Sequence, residues 1–333
     1  MSAVPLVRAA AVAPLAGFLE RAGAPMGRCL ESVGLSPRLL EQPDVPLPFH
    51  LACAVVEEGA RSIGMEDLGA RVGAVTPVEA LGAFGAHVAR APTLLEALRR
   101  ASALRWELCS GQDLWIERDE RDGSRMWIRL RSDRRIARGR SEIDPYGALL
   151  LVNLVRLAAG PGWTPAAVEL GPVSPGSLAA LAPSEVSVLA GCPAVGVALE
   201  ADLLRRPLAL ATGIAPPPSA VGPRLTTDLR SSVRQAIEAL LLGGYPDVHL
   251  AAEACAMSVR TFQRRLAQTG TSYAELVEEV RCHLALRLLR DDAPSITEIA
   301  LRLAYSDLAN FSHAFRRWTG VSPRAYRNLE AAS

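Results

Sequence analysis

The chain of 333 residues is long enough for two domains, and half of its residues are hydrophobic, so it can bury a sizeable core. Its formal net charge is only +1, and all 36 basic residues are arginine. This balance excludes binding of nucleic acid through bulk charge alone, so any such surface has to be local. Six scattered cysteines without a CxxC pair are typical of buried thiols in a reducing cytoplasm, not of a disulfide framework.

Metal, cofactor and membrane association are not expected. The histidines and cysteines share no spacing typical of a metal site, and the sequence contains no cofactor-binding motif. Its apolar runs are shorter than the roughly 20 residues that span a bilayer. Residues 9–19 resemble a secretory signal only weakly, because Pro14 and Gly17 interrupt the run. We interpret this segment as a surface helix of a cytoplasmic domain.

Helical signals dominate the chain up to about residue 108. Ser36 followed by Pro37 predicts a helix start, because proline is favoured at the first helical position. Residues 49–63 have the apolar spacing of a helix. Thr93 and Glu96 form a capping box, which predicts a helix running to about residue 108.

The hydrophobic period then changes to that of strands. Asp122-Gly123 is a hairpin turn signal between two short runs rich in Trp and Ile. A helix is predicted over residues 144–159. The predicted strands are residues 114–118, 126–130, 167–170 and 194–199. The first 210 residues are therefore predicted to form a mixed α/β domain that is mostly helical.

A proline-rich segment at residues 211–223 is predicted to be a linker, because its three consecutive prolines favour an extended backbone. Residues 224–333 read as entirely helical, so the predicted fold class is α+β and mostly helical. The first helix of this part is predicted over residues 227–242. Capping boxes at residues 272–275 and 295–298 predict two more helices, the first about 18 residues or 27 Å long.

The C-terminal part contains a doubled segment. Residues 249–272 and 295–322 align with an offset of 48 in their first halves, which pairs Ser258 with Ser306. Each copy predicts a short helix, a tight turn and a longer helix rich in Arg, closed by Thr-Gly. This is the arrangement of a helix-turn-helix, whose second helix enters the major groove of DNA. Two copies predict two adjacent major-groove contacts from one molecule.

The second helix of the first copy carries the stronger base-reading signal. Ser258 is its predicted cap, Phe262 and Leu266 are predicted core positions, and its polar face contains no acidic residue. Arg and Gln can form paired hydrogen bonds with guanine and adenine. For one helix alone, a solvated arginine face is an equal alternative. Its repetition in register favours DNA binding. The predicted DNA-contacting residues are Ser258, Arg260, Thr261, Gln263, Arg264 and Arg265.

The second copy is predicted to be the weaker reader. Asp307 is its predicted cap, and the next residues, Leu308 and Ala309, can touch a thymine methyl group but cannot hydrogen-bond a base edge. Its two arginines are expected at the phosphate backbone. For His313 an ordinary solvated position is the alternative. The predicted DNA-contacting residues are Asn310, Ser312, His313, Arg316 and Arg317.

These residues resemble the signature of the AraC/XylS family of transcriptional regulators. The resemblance covers about residues 225–327 and is strongest at ALRLAYSD (300–307), FSHAFRRWTGVSP (311–323) and MSVRTFQRRL (257–266). The family pattern has Gly where this chain has Ala304, and Arg where it has His313. An alanine is costly in that turn if its φ is positive.

The N-terminal part resembles the arabinose-binding-type effector domain of an AraC subfamily. The resemblance lies in VGLSPRLL (33–40), LGAFG (81–85), APTLLEAL (91–98) and LLRRPL (203–208). It implies that residues 1–210 sense an unidentified small-molecule effector and dimerise, and that residues 224–333 bind double-stranded operator DNA. The expected partners are therefore this DNA, the effector, RNA polymerase and a second copy of the chain, in the cytoplasm.

Three other functions agree less well with the sequence. An enzyme is disfavoured because the sequence lacks a nucleophile elbow, a phosphate-binding loop, a dinucleotide fingerprint and HExxH. A methyl-accepting DNA-repair regulator needs a reactive cysteine, which the scattered cysteines do not indicate. A third alternative is a ligand-independent DNA-binding regulator whose N-terminal part only dimerises. The six arginines of residues 129–140 fit either an anionic ligand or a solvated hairpin tail.

Overall fold

The computed structural model describes residues 3–136, 138–181, 186–209, 224–290 and 294–331. These residues divide into two compact units. The first, mixed α/β, comprises the described parts of residues 5–33 and 40–226, and the second, helical, comprises residues 227–331 with residues 3–4 and 34–39. The predicted α+β fold class is confirmed. The linker predicted at residues 211–223 lies outside the described residues.

The first unit is built mainly from helices. They are α1 (Ala9–Arg21), α2 (Met26–Glu31), α3 (Phe49–Ser62), α4 (Leu68–Val75), α5 (Gly82–Ala89), α6 (Leu94–Leu108), α7 (Arg140–Ala159) and α8 (Pro175–Leu181). Short 3-10 turns occur at Val78–Leu81 and Ala201–Arg205. The N-terminal run predicted as a surface helix is α1, which is helical but buries Leu15 and Leu19 completely.

Two sheets complete this unit. Strands β1 (Leu6–Arg8) and β2 (Pro46–Pro48) pair antiparallel. The larger sheet has five strands in the order β3-β4-β7-β5-β6, in which only the β5–β6 pair is parallel. Its strands are β3 (Gln112–Arg118), β4 (Arg125–Ser132), β5 (Ala167–Glu169), β6 (Ser187–Leu189) and β7 (Val195–Glu200). The predicted hairpin around Asp122-Gly123 is the β3–β4 pair.

The core of the first unit lies between this sheet and helices α6 and α7. Ile128 and Val197 of the sheet and Val155 of α7 are fully buried, and Leu98 of α6 is almost fully buried. Helix α4 packs closely on α7 because Gly69 has no side chain. A Cβ at that position would lie 1.8 Å from the carbonyl oxygen of Glu142.

The structure corrects several predicted boundaries in this unit. Helix α7 starts at Arg140, four residues before the predicted start at Asp144, because Gly139 adopts a positive φ of 69° that ends the preceding loop. The predicted helix at Pro37 is a single 3-10 turn, Pro37–Glu41. Strands β1, β2 and β6 and helix α8 were not predicted.

Among the described residues of the second unit, all regular elements are helices, and they follow the predicted order. Its helices are α9 (Leu229–Leu241), α10 (Val248–Ala254), α11 (Val259–Ala267), α12 (Tyr273–Arg290), α13 (Ile296–Arg302), α14 (Leu308–Thr319) and α15 (Pro323–Ala331). Helices α10 and α11 form the first predicted helix-turn-helix, and α13 and α14 form the second. The predicted joining helix is α12, which has 18 residues.

Among the described residues, no single helix combines the length and apolar character needed to cross a membrane. One bent pair, Leu68–Val75 with Val78–Ala89, reaches that length and composition only when both members are taken together across a 108° break.

Candidate nucleic-acid interface

The first helix-turn-helix is fixed by side-chain caps and a buried aromatic ring. Asp247 accepts a hydrogen bond from the Leu250 N–H at 2.8 Å at the start of α10, and Ser258 accepts one from the Thr261 N–H at 3.3 Å at the start of α11. Such caps satisfy backbone donors that a helix start leaves open. Phe262 is fully buried and packs edge-to-face on Tyr273 of α12, with ring centroids 5.7 Å apart. The predicted cap and core position are thereby confirmed.

Helix α11 presents its basic face to solvent. Arg260, Gln263 and Arg264 are exposed, and no ion pair or side-chain hydrogen bond within the described part of the chain engages them. Thr261 and Arg265 are half-buried. The Ser258 hydroxyl donates to Thr261 Oγ1 at 3.0 Å, so these two predicted contact residues form part of the cap. Three long polar side chains are thus free to contact a ligand from this helix.

The second helix-turn-helix repeats this construction around a larger aromatic cluster. Asp307 caps α14 by accepting the Asn310 N–H at 2.7 Å, and this hydrogen bond holds the pKa of the Asp307 carboxyl below its ordinary value. The cap is one residue later than the aligned Ser306. The packed rings of the cluster are Tyr305, Phe311, Phe315, Trp318 and Tyr326.

Both turns contain an alanine in the left-handed backbone region. Ala256 has a φ of 52° and Ala304 a φ of 58°, and the two are related by the 48-residue repeat. Among the described residues, these two alanines are the non-glycine residues that have a positive φ. Ala304 therefore has the positive φ that makes an alanine energetically unfavourable in this turn. The same strain at Ala256 was not predicted, although the alignment pairs the two positions.

Helix α14 has fewer polar side chains free to contact a ligand than α11 has. His313 and Arg316 are exposed and Ser312 is half-buried. The Asn310 side-chain amide is already used, because its Nδ2 donates to Asp307 Oδ2 at 2.7 Å and to Ser306 Oγ at 3.2 Å. Fewer side chains on this helix are consequently free for a ligand.

Arg317 is held by an acid on the joining helix. Its guanidinium forms an ion pair with the Glu278 carboxylate, which also accepts a hydrogen bond from the Trp318 indole N–H at 3.0 Å. Sequence reasoning placed Arg317 at the phosphate backbone and did not identify Glu278. To contact a phosphate, Arg317 has to leave this partner.

A buried arginine on α12 connects the joining helix to the second turn. Arg281 is 7% exposed and donates from Nε to the Leu303 carbonyl at 2.8 Å and from a terminal nitrogen to the Ala304 carbonyl at 2.6 Å. Its guanidinium lies 3.9 Å from the Tyr305 ring centroid and 4.9 Å from that of Tyr245, which precedes α10. Arg281 therefore links the strained turn of the second helix-turn-helix to an aromatic residue in the loop that leads into the first.

Comparison with known families decides the identity of the chain. The family described as the arabinose-binding domain of AraC transcription regulator, N-terminal, matches residues 23–208, and the family described as a helix-turn-helix domain matches residues 251–329. The chain belongs to the AraC family of transcriptional regulators. The members of this family that it resembles are regulators of transcription and not enzymes.

Individual AraC-family relatives match mainly in the second unit. The ornithine utilization regulator of Pseudomonas aeruginosa is 38% identical over 105 residues, which are 31% of this chain and 31% of that protein. The regulator VqsM of the same organism is 40% identical over 84 residues, 25% of this chain and 26% of its own length. The chain thus spans less than a third of the length of these curated relatives. The solved structure of CdpR from Pseudomonas aeruginosa shows 26% identity, covers 78% of this chain and 86% of its own, and has a TM-score of 0.32.

The arginine run at residues 129–140 of this AraC-family chain is largely neutralised. Five of its six arginines form ion pairs within the first unit, with carboxylates of Glu117, Glu169, Asp113, Asp133, Glu57 and Asp144. This arrangement agrees with the interpretation as a folded, solvated hairpin region and leaves little charge for an anionic ligand.

Proposed function

We propose that this AraC-family regulator reads operator DNA by placing α11 and α14 in adjacent major grooves, with α11 making the base contacts that determine sequence. The observation that carries the proposal is the exposed, acid-free face of α11, on which Arg260, Gln263 and Arg264 remain free. Arg can bond guanine O6 and N7, and Gln can bond adenine N6 and N7. Helix α14 contributes mainly positioning contacts, with Arg316 and Arg317 at phosphates.

The joining helix suits this mode of binding. Its 18 residues correspond to about 27 Å at 1.5 Å per residue. Successive major-groove faces on one side of B-DNA are about 34 Å apart. A strut somewhat shorter than one DNA turn, with side chains reaching beyond its ends, is compatible with two helices in consecutive grooves.

We further propose that residues 1–210, which include most of the first unit, sense a small-molecule effector and dimerise in the cytoplasm. Residues 211–223 act as a linker, and the DNA-bound protein contacts RNA polymerase. The family match of this unit supports an effector role, and the cavity described below offers a site. The alternative is a regulator whose first unit only dimerises. A ligand-induced rise in melting temperature separates the two, because a ligand that binds the folded state stabilises it.

A methyl-accepting repair function is disfavoured by the state of the cysteines. All six are free, and burial raises the pKa of each thiol above its ordinary value. Burial takes the pKa of Cys109 and of Cys255 to about 12. A nucleophilic cysteine needs the opposite shift, because the thiolate is the reactive form.

Binding-site selection with the full-length chain and single variants tests the unequal roles of the two helices. Gln263→Ala or Arg264→Ala should cost about 1–3 kcal/mol of binding free energy and relax the sequence of one half-site, as for a lost paired base contact. Arg316→Ala should weaken binding to all sequences alike, because a phosphate contact carries no sequence information. Loss of information in both half-sites with every variant would contradict the assignment.

A further inference from the structure

The first unit contains an apolar cavity between its helices and its sheet. The cavity has an empty volume of about 950 Å³, including its mouth. Its walls come from α1, α3, α5, α6 and α7, from the 3-10 turn before α5 and from strands β1, β3 and β4. Most of the 21 lining residues are aliphatic or aromatic, among them Val88, Leu114, Leu130, Leu151 and Leu154. The free volume inside it is about 140 Å³, close to the roughly 150 Å³ of an engineered apolar cavity that binds benzene.

The polar lining residues are few, and three of them lie close together in the chain. Arg105, Cys109 and Gln112 come from the end of α6 and the start of β3, and the fourth is Tyr146 of α7. Cys109 is a neutral thiol, and the Tyr146 hydroxyl donates to a backbone carbonyl, that of Ala11, at 3.4 Å. Polar character is therefore concentrated at one side of an otherwise apolar space.

Arg105 brings a positive charge to that side. One terminal nitrogen donates to the Ser102 carbonyl at 2.9 Å, and the guanidinium lies 4.3 Å from the Trp106 ring centroid. Its buried Nε makes no hydrogen bond to any described residue, and the carboxylate of Asp113 is 3.6 Å away. Asp113 is shared with Arg131 at 3.2 Å, so it neutralises Arg105 only in part. A guanidinium has five N–H donors in a geometry that matches a carboxylate.

We propose that this cavity is the effector site and that it takes an aliphatic carboxylate, whose chain fills the apolar space and whose head group binds Arg105. The proposal rests on the effector-sensing role proposed above and names the ligand class for it. A pentose is a poor fit, because burying several hydroxyl groups against aliphatic walls leaves them without hydrogen-bond partners. The apolar walls instead favour a chain of methylene groups, each of which gains free energy on leaving water.

The probes are decanoate, decanol and arabinose, titrated calorimetrically into the full-length protein. Decanoate should bind about tenfold more tightly than decanol, because a hydrogen-bonded charge pair adds to the shared apolar contribution. Arabinose should not bind measurably. Absence of decanoate binding, equal affinity for decanoate and decanol, or arabinose binding as tight as that of decanoate would each overturn the proposal.

Two matched pairs of variants locate the site. Ala101→Phe fills the cavity from the buried face of α6 and should abolish binding of both aliphatic probes, whereas Ala103→Phe, exposed on the same helix, should leave it unchanged. Arg105→Gln should remove the preference for decanoate over decanol but retain decanol binding. Arg99→Gln, at an exposed position of α6, should keep the preference for decanoate. Wild-type decanoate binding in Ala101→Phe or in Arg105→Gln would show that the ligand lies elsewhere.

DNA affinity without ligand is measured in parallel for each variant by fluorescence anisotropy. Ala101→Phe and Arg105→Gln lie in the first unit and should leave this affinity unchanged. A protein that binds DNA but not decanoate refutes the ligand class alone, whereas one that binds decanoate but not DNA refutes the proposed DNA reading.

Discussion

At the scale of single residues, the strained turns offer a direct test of backbone energetics. Ala304 has a φ of 58°, a region that costs an L-residue about 1–2 kcal/mol and costs glycine almost nothing. Ala304→Gly relieves this backbone strain but also gives the unfolded chain more conformational entropy. The net effect should be a rise of about 0.5–1 kcal/mol in the free energy of local unfolding. Hydrogen exchange of peptides covering α13 and α14 measures this.

Ala309→Gly is the matched control, because Ala309 is exposed and helical. That change should destabilise by about 0.5–1 kcal/mol, the usual cost of glycine in a helix. Faster exchange in both variants would show that the Ala304 backbone is not strained.

The Glu278–Arg317 pair should limit DNA affinity in the proposed binding mode. Glu278→Gln frees Arg317 for phosphate and should tighten binding to all sequences about two- to fivefold, the range expected for an exposed ion pair. Glu279→Gln provides a control of equal charge, because Glu279 lies next to Glu278 but pairs with Arg230 of α9 at 2.5 Å. Equal tightening in both variants, measured by anisotropy, would indicate a net-charge effect and no specific role for Glu278.

Residue roles were predictable where the cause is local. Ser258 and Asp307 were identified as caps because a cap bonds a backbone N–H three residues along the chain. Arg281 was missed because its partners lie 22 and 23 residues away. Its position between Val277 and Ala285, at a spacing of four on the buried face of α12, is the signal that could have identified it as a buried charge.

At the scale of elements, α12 depends on Arg281 to hold the second helix-turn-helix. Arg281→Met removes two hydrogen bonds to carbonyls at the end of α13. It should lower the stability of this region by about 3 kcal/mol, because the Leu303 carbonyl stays buried without a partner and the half-buried Ala304 carbonyl also loses its donor. Arg281→Lys should recover little, since an ammonium cannot bond both carbonyls and stack on two rings in the same geometry. Chemical denaturation of the full-length variants measures the loss.

Arg287→Met is the matched control on the same helix. Arg287 is exposed and pairs with Glu238 of α9 at 2.8 Å, so its loss should cost about 1 kcal/mol or less. Equal destabilisation by the two variants would mean that Arg281 acts only as one more surface charge.

Helices with strong periodicity and caps were predicted within a few residues, and so were strands β3, β4, β5 and β7, whereas strands β1, β2 and β6 were not predicted. Strands β1 and β2 have three residues each and pair across about 40 positions of sequence, so neither carries an alternating pattern long enough to recognise. The cavity was likewise unpredictable, because its walls come from elements between residues 7 and 154 that only the fold brings together.

At the scale of the whole molecule, the proposed function requires free-energy coupling between effector and operator. An effector that favours one state should change DNA affinity by about 5–150-fold, and operator DNA should change effector affinity by the same factor, because coupling is reciprocal. Anisotropy with saturating decanoate and calorimetry with saturating operator measure the two factors independently. Decanoate binding without any change in DNA affinity would assign the first unit a role other than sensing.

The placement of Arg281 between Tyr245 and Tyr305 bears on which promoters such a regulator can control. In the proposed binding mode, a guanidinium packed between these two rings on α12 should leave α11 and α14 little freedom to change their separation. One base pair added between the half-sites turns the second by about 35° around the DNA axis. Single-base insertions and deletions at that place should thus remove a promoter from the regulon more effectively than base substitutions in the second half-site.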